Sequence, residues 1–84
     1  MNKFEKEIID IIAEESGLDM DDIKTDSALY DLGIDSLTAL EILVVLEDKY
    51  DIRIPDNELK NTNTIMEIIN VVLDRIAGKK GENN

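Results

Sequence analysis

Along most of this chain the apolar residues recur with a helical period, and the polar breaks between them mark out the elements. Phe4, Ile8, Ile11 and Ile12 stand at the i, i+4, i+7, i+8 spacing of one helix face, with acids and lysines opposite. Asn2 is placed to cap this first helix, with Glu5 three residues on. Gly17 tolerates a positive φ and stops the helix after Ser16, and Leu18 beyond it can fold back. Residues 18–34 mix acids and short polar residues with isolated apolar anchors at Leu18, Ile23, Leu29, Tyr30 and Leu32. That pattern is too irregular for a helix and too polar for a strand, and predicts a long loop pinned to the core. Loops of this length in small domains are often functional. From Ser36 to about Tyr50 no breaker interrupts a second, strongly apolar helix. Pro55-Asp56 opens a short helix through Lys60, and Asn61-Thr62-Asn63 interrupts it. Thr64 with Glu67 forms a capping box for a last helix, whose Ile65, Ile68, Ile69, Val72 and Ile76 share a face until Gly78 ends the pattern. The expected fold class is all-α, a small four-helix bundle of three main helices plus one short helix, with a long loop between the first two. The domain covers residues 1–77, and the polar, glycine-broken residues 78–84 are expected to form a flexible tail.

The length of 84 residues leaves room for one domain only. The net charge of −11 argues against nucleic acid and anionic membranes as partners and in favour of basic protein surfaces. With neither Cys nor His, the chain has no thiol nucleophile, imidazole base, disulfide or ordinary zinc site, so catalysis by the bare chain is not expected. The first residues carry acids where a secretory signal needs a basic run, and no stretch approaches the roughly 20 apolar residues of a membrane span. These features predict a cytoplasmic monomer.

Two groups of residues invite a chemical reading. Asp19, Asp21, Asp22 and Asp26 are close enough in sequence to evoke a calcium loop, but a loop opening at Asp19 would need a ligand, a glycine and a glutamate where the chain has Ile23, Lys24 and Tyr30. They read as solvated acids and caps, and no metal site is expected. The run Asp31-Leu32-Gly33-Ile34-Asp35-Ser36-Leu37 is sharper, because its glycine turn delivers Ser36 to the start of the second helix. Unpaired N–H groups there would favour a phosphate esterified to that serine. Taken alone, the run favours a plain helix cap made by Asp35 or Ser36, the commoner role of such residues.

The same run, with Leu40-Glu41 and Leu46-Glu47-Asp48 in the second helix and Ile52-Arg53-Ile54-Pro55-Asp56 before the short one, resembles the acyl carrier protein family over about residues 3–77. That family includes the carrier domains of polyketide and nonribosomal peptide synthesis. The resemblance implies a non-catalytic carrier in which Ser36, flanked by Asp35 and Leu37, receives 4'-phosphopantetheine from coenzyme A and the arm's thiol holds acyl intermediates as thioesters. The reactive sulfur then arrives on the cofactor, which suits a chain without Cys. It also implies a phosphopantetheinyl transferase and acyl-processing enzymes with basic surfaces as partners, most directly in fatty acid biosynthesis. At about 100° per residue, Ala39, Leu40, Leu43, Leu46 and Tyr50 should face the core, while Leu37, Glu41, Val44, Val45 and Asp48 point outward. Leu37, Glu41, Val44, Glu47 and Asp48 are the expected docking residues, unless Leu37 and Val44 are covered by the loop or the short helix. Leu46, Leu59, Thr62, Ile65 and Ile69 are the candidates to line an acyl pocket between the second helix and the last two. Within it Thr62 would set a hydroxyl against hydrocarbon at a cost of about 1–3 kcal/mol unless it finds a partner, favouring short or polar cargo. Thr38, Lys49, Thr62 and a loop one residue short depart from many fatty-acid carriers, which keeps a specialised carrier for a polyketide, modified lipid or aminoacyl pathway as an alternative. An unmodified helical adaptor is the alternative of another class.

Overall fold

The computed structural model describes residues 2–82, with side chains through Lys79; the part of the expected tail at 83 and 84 lies outside the described residues. Four α-helices follow in order: α1 Lys3–Ser16, α2 Ser36–Tyr50, α3 Asp56–Lys60 and α4 Ile65–Glu82. The long connection between α1 and α2 contains two single 3-10 turns, Met20–Asp22 and Tyr30–Leu32. α1 lies against both α2 and α4.

Local chemistry accounts for the helix ends. The Asn2 side chain accepts from the Glu5 N–H at 2.8 Å, and Gly17, at φ 78°, donates its N–H to the Ala13 carbonyl. At α4 the Glu67 N–H donates to Thr64 Oγ1, and Glu67 Oε1 accepts from the Asn63 N–H and the Thr64 hydroxyl, which closes the capping box. The next free donors of α4 are taken by the long loop: Ile65 N–H bonds to Ser27 O at 3.1 Å and Met66 N–H to Thr25 O at 2.9 Å. Leu29 N–H returns a bond to Asn63 O at 2.8 Å. The loop is therefore clipped by its backbone across the start of α4, and Ile23 and Leu29 plug into the core behind the clip.

The core joins Ile8, Ile9, Ile12 and Ala13 of α1, Ala39, Ile42, Leu43 and Leu46 of α2, and Ile65, Ile68, Ile69 and Val72 of α4, with Ile34, Ile52 and Ile54 from the connections. Each fully buried aliphatic side chain contributes about 1.5–3 kcal/mol of transfer free energy. Beside it Phe4 and Tyr50 meet edge to face at 5.9 Å, and the Tyr50 hydroxyl donates to Glu7 Oε1 at 2.8 Å. Burial together with that carboxylate pushes the phenol far above its ordinary pKa.

Three expectations change. α2 buries Ile42 in place of Leu40, which is 42% exposed, so the inward face is turned from the one the helical wheel gives. Tyr30, expected to anchor the loop, is 90% exposed, because the turn at 30–32 points it away while Leu29 and Ile34 take the buried positions. α4 runs through Gly78 to Glu82 rather than stopping there. Lys79 gives this extension a partner: its Nζ binds Asp51 Oδ2 at 2.7 Å and Asp51 O at 3.0 Å at the end of α2, and holds the Asp51 carboxyl below its usual range.

Candidate functional site

The site is built by the second 3-10 turn. Gly33 adopts φ 76°, a conformation costly for a residue with a Cβ, and its N–H and that of Ile34 bond back to Tyr30 O and Leu29 O at 3.0 Å each. Ile34 is thereby buried, and the chain emerges at Asp35 in extended conformation before winding into α2. Asp35 is the cap: its Oδ1 accepts from the Thr38 N–H at 2.8 Å, and its carbonyl accepts from Ala39 N–H at 2.9 Å. Ser36, the first residue of the helix, is exposed, and neither its hydroxyl nor its N–H has a hydrogen-bond partner among the described residues. Cap and serine, alternatives for one role in the sequence, are thus separate residues.

Beside Ser36 opens a cleft of about 680 Å³ between the turn, the start of α2 and α3. Leu29, Ile34, Ala39 and Leu59 give it apolar walls; Tyr30, Lys60, Thr62 and Asn63 add polar groups. Of the expected acyl-pocket residues only Leu59 and Thr62 line this cleft. Leu46, Ile65 and Ile69 do not, being 0%, 0% and 1% exposed inside the packed core. The Thr62 hydroxyl donates to Glu58 O at 2.7 Å, so the desolvation cost expected for it does not arise, and the preference for short cargo loses its basis. Tyr30, Lys60 and Asn63 were absent from the sequence-based set; they reach the cleft through the backbone clip, which no periodicity reveals.

On the outer side of α2, Leu37 (64%) and Val44 (55%) are exposed beside Glu41 and Asp48, so neither aliphatic is covered by the loop or by α3. Glu47 differs from the docking role expected of it: it is half-buried, and its Oε2 accepts from the Ile54 N–H at 2.8 Å, holding the segment that leads into α3. The acids at 19–26 serve local structure at one position, where Asp19 Oδ1 accepts from the Asp21 N–H at 3.0 Å.

The hydrogen bonds from Thr38 hold the Asp35 carboxyl below the usual range. A group with a lowered folded pKa stabilises fully above its unfolded value, near 3.8 here, and loses that contribution as pH falls through the folded value. Thermal melts between about pH 2 and 7 should show wild type losing part of its acid resistance relative to Asp35→Asn, which caps without titrating. Equal pH profiles for the two would remove Asp35 from the acid transition.

The bundle thus presents a serine hydroxyl at the start of α2, exposed and beside a cleft, where a group could be mounted. The phosphopantetheine attachment site family matches residues 6–72. An acyl carrier protein of Clostridium acetobutylicum is 39% identical over 70 residues, 82% of this chain and 90% of the relative. The fold is shared with the crystal structure of an acyl carrier protein of Thermotoga maritima (TM-score 0.80, 21% identity, 92% of this chain and 95% of that one). It is also shared with a hexanoyl acyl carrier protein of the actinorhodin polyketide synthase of Streptomyces coelicolor (TM-score 0.77, 25% identity, 87% and 90% covered). This chain belongs to the acyl carrier protein family. It is accordingly a carrier and not an enzyme, it bears a 4'-phosphopantetheine group, and it works with acyl-processing enzymes. Among the described residues no helix is long and apolar enough to cross a membrane.

Proposed function

We propose that Ser36 is the attachment point of 4'-phosphopantetheine and that the chain carries acyl intermediates of fatty acid biosynthesis in the cytoplasm. The observation that carries this reading is the division of labour at the start of α2, where Asp35 makes the cap bond and Ser36 is left exposed with its hydroxyl free. The residues present fit the group: Ser36 offers the ester oxygen, the N–H groups of Ser36 and Leu37 are open toward a phosphate, and the adjoining cleft has apolar walls. When bound, the arm supplies the thiol that holds acyl groups as thioesters. The chain's own residues present the hydroxyl, fix the turn through Gly33 and Ile34, and offer partners a surface on which exposed Leu37 and Val44 alternate along α2 with Glu41 and Asp48.

The test is intact mass after incubation with coenzyme A and a phosphopantetheinyl transferase proven active on another carrier. The chain should gain one phosphopantetheine. No gain would overturn Ser36 as the attachment point. The likeness to the polyketide carrier of Streptomyces coelicolor supports a second reading, a carrier of a specialised pathway. Turnover of the loaded chain by purified fatty-acid elongation enzymes distinguishes the two, and its absence would favour the specialised carrier.

Charge reversal tests the surface. Glu41→Lys and Asp48→Lys should each slow loading by about tenfold at low salt through lost steering of basic partners, with the melting temperature little changed. Glu47→Lys should instead lower the melting temperature, because it removes the acceptor for Ile54 N–H. Loading rates insensitive to Glu41→Lys, to Asp48→Lys and to ionic strength would take these acids out of the recognition surface.

A further inference from the structure

The cleft beside Ser36 contains two charged side chains, Asp35 and Lys60. Asp35 is committed to the Thr38 N–H. Lys60 is exposed and forms neither an ion pair nor a side-chain hydrogen bond among the described residues, in a chain whose acids outnumber its lysines and arginines twenty to nine. Its backbone is nonetheless fixed. The Arg75 guanidinium of α4 binds the Glu58 carboxylate in the middle of α3, while Thr62 Oγ1 donating to Glu58 O and Asn61 Nδ2 donating to Asn57 O at 3.2 Å close the helix's last turn. An exposed ammonium, without a bonded partner among the described residues, on a helix pinned to α4 therefore lines the same cleft as the serine hydroxyl.

We propose that Lys60 is the counter-charge to the phosphodiester formed on Ser36, a positioning residue that lays the first part of the arm along the cleft. The inference rests on Ser36 being the attachment point. A phosphodiester is a monoanion at neutral pH, and esterifying Ser36 adds it next to the Asp35 carboxylate on a protein already at −11. Repulsion by that field drives the arm outward, and the cleft's single cation opposes it. Lysine suits the task, since its compact charge on a flexible stem can follow a phosphate oxygen through several rotamers without fixed geometry. The apolar walls at Ile34, Ala39 and Leu59 lower the local dielectric and strengthen the attraction, while salt weakens it over a Debye length of about 10 Å at 0.1 M.

The experiment loads wild type, Lys60→Gln and Lys60→Arg enzymatically, verifies each by intact mass and by the site of modification, and records phosphorus and amide spectra of apo and holo forms. Taking holo minus apo for each variant cancels any change in the bundle itself. In wild type the amides of Tyr30, Thr62 and Asn63 should shift on loading. Those changes should fall by about half or more in Lys60→Gln and return in Lys60→Arg, as expected of a charge effect. The phosphorus resonance should move in Lys60→Gln alone, and wild type should approach it as salt rises from about 20 mM to about 0.5 M. Normal loading at Ser36 with identical phosphorus shifts and amide changes in all three proteins overturns the role of Lys60 and leaves the attachment point standing. A wild-type chain that gains no arm, or gains it elsewhere, brings down the attachment point and this inference together.

Discussion

Ser36→Ala is expected to accept no phosphopantetheine, while its apo form melts within a few degrees of wild type. The loss should be complete because the other two serines are engaged in the fold. Ser16 donates its hydroxyl to Ile12 O at 2.6 Å in the last turn of α1. Ser27 lies in the clip, where its carbonyl accepts from Ile65 N–H, in a loop rather than at the start of a helix. Stability should hardly change, since the cap is Asp35, Ser36 makes no side-chain bond, and alanine is a better helix former than serine. An exposed substitution of this kind costs within about 0.5 kcal/mol. Intact mass and a thermal melt on the same sample check both halves. A mass gain persisting in Ser36→Ala would falsify the attachment point. A large drop in melting temperature would show that the hydroxyl has a structural partner.

What the sequence revealed, and what it hid, follows from the range of the interactions involved. Both ends of α1 and the start of α4 are set by bonds three or four residues long, between Asn2 and Glu5, between Gly17 and Ala13, and between Thr64 and Glu67, and each was legible. The inward face of α2 was not, because its apolar residues nearly encircle the helix from Leu37 to Leu46, and which of Leu40 and Ile42 is buried depends on what packs against it. The cleft was hidden for a related reason. Its far wall is brought to Ser36 by backbone bonds from Leu29 to Asn63 and from Ile65 to Ser27, which leave no side-chain signature. Glu47 reads as one more surface acid of an acidic helix, and only the turn through Asp51, at φ 53°, places Ile54 N–H within its reach. At Gly78 the sequence signal misled outright: the residue stays helical because the partner that rewards extension, Asp51, lies 28 residues before Lys79. The serine stood out through a motif at a predicted helix start, but which of two adjacent polar residues makes the cap bond is set by the backbone of the turn, with Asp35 extended and Ser36 already helical.

Leu46→Ala should be the most damaging of the substitutions considered, and it separates core from pocket. Leu46 is fully buried with Ile8, Ile12, Ile42, Ile65 and Ile69 around the middle of the bundle, where removing three carbons leaves a void that helices tied at both ends cannot fill. Such truncations cost about 2–5 kcal/mol. Small domains have a total stability of only about 5–15 kcal/mol, and self-repulsion at −11 weighs on this one. At about 4–8 °C per kcal/mol for a domain this size, the melting temperature should fall by roughly 10 °C or more. Leu59→Ala is the contrast, because Leu59 is half-buried at the cleft wall: it should cost less than about 2 kcal/mol, since part of its surface already meets water. Accommodation of cargo should follow the opposite order. In the loaded, acylated chain, the amide shifts along the cleft should respond to Leu59→Ala more than to Leu46→Ala at equal chain length. Urea unfolding of the apo variants at fixed ionic strength measures the first pair of numbers, and spectra of the acylated forms the second. If Leu46→Ala proved as mild as Leu59→Ala and as strongly coupled to cargo, the interior between α2 and α4 would be a ready pocket, and the cleft beside Ser36 would be no more than its entrance.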